Sequence, residues 1–328
     1  MMTFGPTLKL WESDADSWTV SVLFAQEQAS APEISFKIPG QGAQHSANME
    51  PLDERKGLHY FRYKIHLPLQ DAPQVVSYKI GTKRASFIVP AKDTMPAVAY
   101  GSCNGFHSQK LLDSFLQNDA QSGELKATAM WRNMLQTHQQ KPFHLLVLGG
   151  DQIYSDILLQ RFESDVLDWS WYTRQSTRKK RKLSAKEQAH LRDLYTEMYT
   201  GSWGHNPEMK AMLASCPSLM MWDDHDIMDG WGSFENQREQ WPAYAKGIFP
   251  EARRAFLLYQ HHCKPTEKPG GSFASRNNFS TAHTFGGLGI VHLDTRSERT
   301  PRQIMSDDSW GKLKQWMETA PELKHLFF

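Results

Sequence analysis

The sequence predicts an α/β protein in two parts: a small antiparallel β-sandwich over residues 1–95, then an α/β sandwich over residues 96–328. Three observations predict it. Between Trp18 and Pro90 apolar and polar residues alternate, the period of a strand with one buried face. Beyond Pro96 short unbroken apolar runs alternate with helical spacing, as in strands buried on both faces and the helices that cover them. Chemically capable polar residues then recur just past four of these runs, where ligands bind at the carboxyl ends of strands in open α/β sheets.

In the first part, Trp18, Val20, Val22 and Phe24 define one strand face; Ile34, Phe36 and Ile38 define a second. Phe61, Tyr63, Ile65 and Leu67 repeat the alternation, and Tyr78 and Ile80 follow. Pro39-Gly40, Pro51, Asp71 and Gly81 punctuate the run. In the second part, Val98 to Tyr100, Phe143 to Leu148, Ser218 to Trp222 and Gly289 to Leu293 read as strands. Leu111, Leu112, Phe115 and Leu116 recur at helical spacing, and a further helix is expected from Leu125 to Gln140. Ser184 and Glu187 form a capping box before a helix whose buried stripe is Leu191, Leu194, Tyr195 and Met198. Pro250 opens another, with Ala252, Ala255, Phe256 and Tyr259 inward. Ser280 to Leu293 reads as a hairpin turning at Gly286-Gly287, and Trp310 to Thr319 as a helix.

Composition narrows the function classes. The 328 residues carry 37 Lys+Arg against 36 Asp+Glu, a net charge of +1, so no global field recruits a nucleic acid or a membrane surface. No apolar run approaches the roughly 18 residues of a spanning helix. Met1 to Trp11 has no basic region followed by an apolar stretch, so a cytoplasmic setting without a signal peptide is expected. Cys103, Cys216 and Cys263 are widely spaced with no C-x-x-C pair, which argues against a disulfide framework or a structural zinc cluster. The basic run Arg178 to Lys182 reads as a solvated loop, and the adjacent His261 and His262 as capping or surface residues, since neighbours on a helix diverge by about 100°.

Four constellations could carry chemistry. Gly149-Gly150-Asp151 brings a carboxylate out of a buried strand after two glycines that permit a sharp turn and close approach. Ionised, Asp151 can bridge two cations; it can equally serve as a helix N-cap. Tyr154 reaches the same point if a helical turn begins there. Trp222 to Asp229 holds four carboxylates and His225, a crowding that a bound cation relieves or that solvent screens in an exposed turn. Cys103, after its strand, is a small buried hydrophobe unless it faces Asp151. Arg296 can clamp a phosphate or carboxylate, or pair internally with Asp294 or Glu298.

Taken together, these segments resemble the alkaline phosphatase D (PhoD-like) family of metallophosphatases. The matching stretches are Tyr100 to Cys103, Leu148 to Asp156, Met221 to Gly232 and His292 to Arg296. The resemblance implies a calcineurin-like phosphoesterase sheet preceded by a β-domain. It also implies a two-metal site, iron(III) and calcium, with manganese, zinc or magnesium as substitutes. Carried across, Cys103, Asp151 and Tyr154 resemble ligands of the ferric ion, and Asp151 also faces the second ion. Asp224 takes the place of a further metal ligand. His225 resembles the histidine that contacts the phosphate and assists the leaving group; Asp226 would orient its imidazole, and Arg296 would hold a phosphoryl oxygen. The departures are Cys103 in place of an Asp-x-His pair, and an ending at Leu326-Phe327-Phe328 that reads as the start of another buried strand. On this reading the chain is cut short, which leaves an apolar sheet edge and weakens metal binding and turnover.

The expected function is metal-dependent hydrolysis of a small phosphomonoester or phosphodiester, with no stable nucleic-acid partner and no membrane span. Two other classes compete. One is a non-catalytic metal-binding or interaction protein that keeps half the site, for which stoichiometric metal without turnover would speak. The other is a hydrolase using Asp223 and Asp226 as a carboxyl pair with Trp169 and Trp171, for which activity surviving chelation would speak.

Overall fold

The computed structural model describes residues 2–106, 110, 113, 114, 117, 121, 129–162, 182–233, 244–274 and 277–328. The helix expected at Leu111, Leu112, Phe115 and Leu116 rests on positions outside the described residues. So do the start of the helix expected from Leu125, the tryptophans Trp169 and Trp171, and the basic run up to Arg181.

The first eight strands are β1 (Thr3–Ser13), β2 (Ser17–Gln26), β3 (Ile34–Lys37), β4 (Gln44–Ser46), β5 (Met49–Arg55), β6 (Leu58–Pro68), β7 (Gln74–Ile80) and β8 (Lys83–Val89). The remainder are β9 (Val98–Gly101), β10 (Leu145–Leu148), β11 (Ser218–Met220), β12 (Thr281–Phe285), β13 (Leu288–His292) and β14 (His325–Phe327). Alternation does what the pattern implies. Trp18, Val20, Val22 and Phe24 of β2 and Phe61, Tyr63, Ile65 and Leu67 of β6 are buried in one core with Ile34, Phe36, Tyr78 and Ile80 of the facing sheet β4-β3-β7-β8. The reading from Trp18 misses β1. Gly5-Pro6 interrupts its pattern, and the β1–β2 ladder shifts register between Phe4 and Thr7.

β1 is also where the two parts meet. On one side it pairs antiparallel with β2, and on the other parallel with β11, Lys9 opposite Ser218. A single seven-stranded sheet therefore runs β5-β6-β2-β1-β11-β10-β9 across the expected division at 95/96. The parallel strands have two apolar faces. Leu145 and Val147 of β10 enter the sandwich core, while Leu146 and Leu148 enter the helical layer. In that layer Ser184 accepts from the Glu187 N–H and the Glu187 carboxylate accepts from the Ser184 N–H, starting the helix Ala185–His205. Leu191, Leu194 and Tyr195 of this helix are buried. The helix Phe249–Ala255 continues into π-helical turns over Phe256–Gln260, where Phe256 stacks on Trp222 at 4.2 Å.

Two expectations need correction. The run at Gly289 to Leu293 does form a hairpin strand turning at Gly286-Gly287, but it stays out of the main sheet and builds a separate sheet β12-β13-β14. A two-residue turn bonds β13 to its antiparallel neighbour β12 first, and Phe285 and Ile290 then reach the sandwich core from the side. Nor are His261 and His262 at the surface. Both are buried, because the π-helical turns carry the chain end under the sheet, where His262 contacts Thr7 Oγ1 and Ser21 Oγ through its two ring nitrogens.

Candidate metal centre and active site

The ends of β9, β10 and β11 converge. Gly149 N–H donates to the Gly101 carbonyl, Cys103 N–H to that of Gly150 at 3.0 Å, and Asn104 N–H to that of Asp151 at 2.7 Å. Gly150 is at φ +134°, and a Cβ there would lie 2.7 Å from the Asp223 Cβ, so only glycine lets the β10 end pass this close to the β11 end. Cys103 (φ +60°) and Asp151 (φ +53°) both adopt the left-handed region, which residues other than glycine rarely occupy. This backbone holds the Cys103 thiol 3.5 Å from Asp151 Oδ2.

Around Asp151 the charges crowd. One ligand atom each from Asp151, Asp223 and Asp224 lies within 4.8 Å of the others, and the same holds for Asp224, His225 and Asp229. Burial first, then the Asp223 charge, pushes the Asp151 carboxyl up to about 6. These hard oxygen donors are what a calcium- or magnesium-type cation takes, and a cation would reverse the crowding. The residues present therefore fit a metal. Tyr154 follows Asp151 into the turn before the helix Ser155–Phe162 and stacks on His225 at 4.4 Å. Burial, then Cys103 and Asp151, raise its phenol above the ordinary range. The fold thus brings Cys103, Asp151, Tyr154 and Asp224 together at these strand ends.

His225 lies among them, but its expected partner does not hold it. Its Nδ1 is 2.5 Å from Oδ2 of Asp156, in the first turn of Ser155–Phe162. Burial works against the imidazolium, yet Asp156, Asp151 and Asp224 outweigh it and push His225 up to about 9. Asp226 instead turns inward, 1% exposed, and accepts from the Asp223 N–H (2.9 Å), the Gln152 N–H (3.3 Å) and Gln260 Nε2 (2.8 Å). It braces the turn between β11 and the β10 loop, because these backbone donors need an acceptor where water cannot reach. Burial pushes its carboxyl up to about 8. A paired-carboxyl site of Asp223 and Asp226 therefore lacks a second solvent-facing acid.

Arg296 pairs with Asp223 through Nε and with Asp224 at 3.2 Å through Nη2. Asp294 positions it: this buried carboxylate accepts from Trp222 Nε1 and from the N–H groups of Phe279, Arg296 and Ser297. Sequence reasoning missed Asp156. The signal was there, a carboxylate five residues after Asp151 and one into a helix that starts at Ser155, but only the fold brings it to His225.

A family model described as PhoD related phosphatase matches residues 73–327. An uncharacterized protein of Saccharomyces cerevisiae, YGR266W, is 26% identical over 376 residues, covering 98% of this chain and 51% of that protein, so the chain spans about half its relative's length. A solved structure titled "Structure of PhoD" superposes with a TM-score of 0.46 at 13% identity, covering 89% of this chain and 52% of that one.

Proposed function

Because the chain belongs to the PhoD related phosphatase family, we propose that it hydrolyses phosphoesters, monoesters or diesters, at the carboxylate cluster that ends β10 and β11. One observation carries the reading: an imidazole held by Asp156 stands beside three carboxylates and an arginine at the convergence of three strand ends. Asp151 and Asp224, with Cys103 and Tyr154, would hold two cations, iron(III) and calcium by family resemblance. When bound, such ions polarise a phosphoryl oxygen and acidify a water.

The protein's own groups do the rest. With Asp156 on Nδ1, the His225 ring turns Nε2 to the reacting side, where its N–H would pass a proton to the leaving oxygen. Asp156 fixes the ring's orientation. Arg296 would share its five N–H donors among Asp223, Asp224, the Trp231 carbonyl and a phosphoryl oxygen. Asp226 acts through the backbone, holding the 223–226 turn in shape.

The test is turnover of p-nitrophenyl phosphate and bis(p-nitrophenyl) phosphate, with elemental analysis of the same sample. Activity should vanish on chelation and fall by about 10²–10⁴ in His225→Asn. Turnover unaffected by chelation, or full metal content with no turnover of either ester, would refute the reading.

A further inference from the structure

Far from the carboxylate cluster, the fold buries a set of bases that the proposed chemistry does not use. Lys9 in β1, His283 in β12, His292 in β13 and His261 just after the π-helical turns are each at most 5% exposed. Among the described residues, Lys9 Nζ, both ring nitrogens of His261 and of His292, and His283 Nε2 have no hydrogen-bond partner. They lie together. Residue 283 pairs with Ile290 and residue 292 with Thr281, so the two rings sit diagonally on one face of the hairpin. Each of the three imidazoles feels the Lys9 charge, and His261 feels both other rings. Gly271 closes one side; a Cβ there would lie 2.6 Å from the His283 ring.

An unpaired ammonium sealed from water is strongly unfavourable, and no carboxylate among the described residues bonds it. The Lys9 charge also reaches the Cys263 thiol, pushed up to about 12 by burial, and His262, already hydrogen-bonded to Ser21. A metal ion does not fit. The ammonium repels it, and among the described residues no three of these side chains bring ligand atoms within 4.8 Å of one another. We propose that Lys9, His261, His283 and His292 enclose a binding site for a small inorganic monoanion of halide size. The charge count follows from the groups. Burial holds all three imidazoles neutral at pH 7, with His283 and His292 lowered to about 3, while Lys9, lowered to about 8, keeps its charge. One positive charge and up to three neutral N–H donors suit one negative charge with no directional demand.

Bromide is the probe. Crystals of the chain soaked in sodium bromide should show an anomalous peak within hydrogen-bonding reach of Lys9 Nζ. In solution the melting temperature should climb with the logarithm of bromide concentration, against sodium gluconate at equal ionic strength. Lys9→Met should lose the peak and weaken the half-saturating bromide concentration at least tenfold. Should that variant fail to fold, His292→Leu carries the same comparison. Ordered water alone between the four side chains, or a bromide response that is unchanged in the variant, overturns the proposal.

Discussion

Oδ2 of Asp156 approaches Nδ1 of His225 to 2.5 Å, while Oδ1 of the same carboxylate accepts the Asp229 N–H at 3.0 Å. One side chain thus ties a helix start to the imidazole and to the acidic turn. Asp156→Asn keeps the shape and removes the charge. The His225 pKa should fall from about 9 towards its ordinary 6.5, read by NMR of the ring protons. Turnover should fall by about tenfold or more, with the basic limb of the pH profile displaced downward. An unmoved titration would show that Asp156 is not the cause.

The same pair sets a pH dependence of stability in the metal-free chain. His225 binds its proton more tightly folded than unfolded, so its contribution is full below about pH 6.5 and is lost as pH rises through about 9. Asp226, raised to about 8, acts in the same direction, losing stability from about pH 4 upward. The buried His261, His283, His292 and Lys9 titrate in the opposite sense but equally in Asp156→Asn, so the wild-type urea midpoint minus that of the variant should fall between pH 6.5 and 9. A difference between wild type and Asp156→Asn that rises over that interval would contradict the His225 assignment.

Arg296 neutralises Asp223 and Asp224 at the place where cations would sit. Arg296→Met should cost the metal-free chain about 1–3 kcal/mol and at the same time tighten calcium binding, because a competing positive charge is gone. Calorimetry and chemical denaturation on one pair of samples separate the two effects. Weaker calcium binding in the variant would mean that the guanidinium organises the carboxylates rather than competes for them.

At Gly150 a methyl group has nowhere to go. Gly150→Ala should destabilise by about 1–3 kcal/mol and loosen metal binding, because the Asp223 Cβ must move away. Gly204→Ala is the contrast: it lies in Ala185–His205 with open space around it and should stabilise by up to about 1 kcal/mol. Thermal melts of both variants check the pair, and equal effects would remove the steric argument.

Cys103 is free and exposed, 3.5 Å from Asp151, whereas Cys216 and Cys263 are buried. Thiol labelling should modify Cys103 first in the metal-free chain and slow markedly once iron(III) or calcium is supplied. Equal rates with and without metal would take Cys103 out of the ligand set.

Local patterns made most elements legible. The period-2 runs of β2, β3, β6 and β7, the Ser184–Glu187 capping box and the Gly286-Gly287 turn are each written within a few neighbouring residues. Cys103, Asp151 and Asp224 were legible because each lies within a few residues of its own strand's end, and Tyr154 because it follows Asp151. What stayed hidden depends on distant pairing. β1 carries a bulge at Gly5-Pro6, and its partner β11 lies some 200 residues away in sequence. Asp156 and Asp226 differ only in which way the chain turns after its strand, and sequence spacing favoured the nearer carboxylate for His225. His261 looked exposed because its burial comes from β1 and from the β12–β13 hairpin, not from its own helix.

The parallel pairing of Lys9 with Ser218 also bears on how the protein is made. On a ribosome, β1 and β2 can form their hairpin as soon as both emerge. The other edge of β1 must wait for residue 218, which at typical elongation speeds is about 10–40 s later. During that interval an 11-residue strand with an almost wholly buried native face offers unpaired N–H and carbonyl groups to any neighbouring chain. Lys9 sits in the middle of that edge. Until β11 arrives, its charge is a gatekeeper against misassembly, and the ammonium that is costly in the finished core is protective in the nascent one.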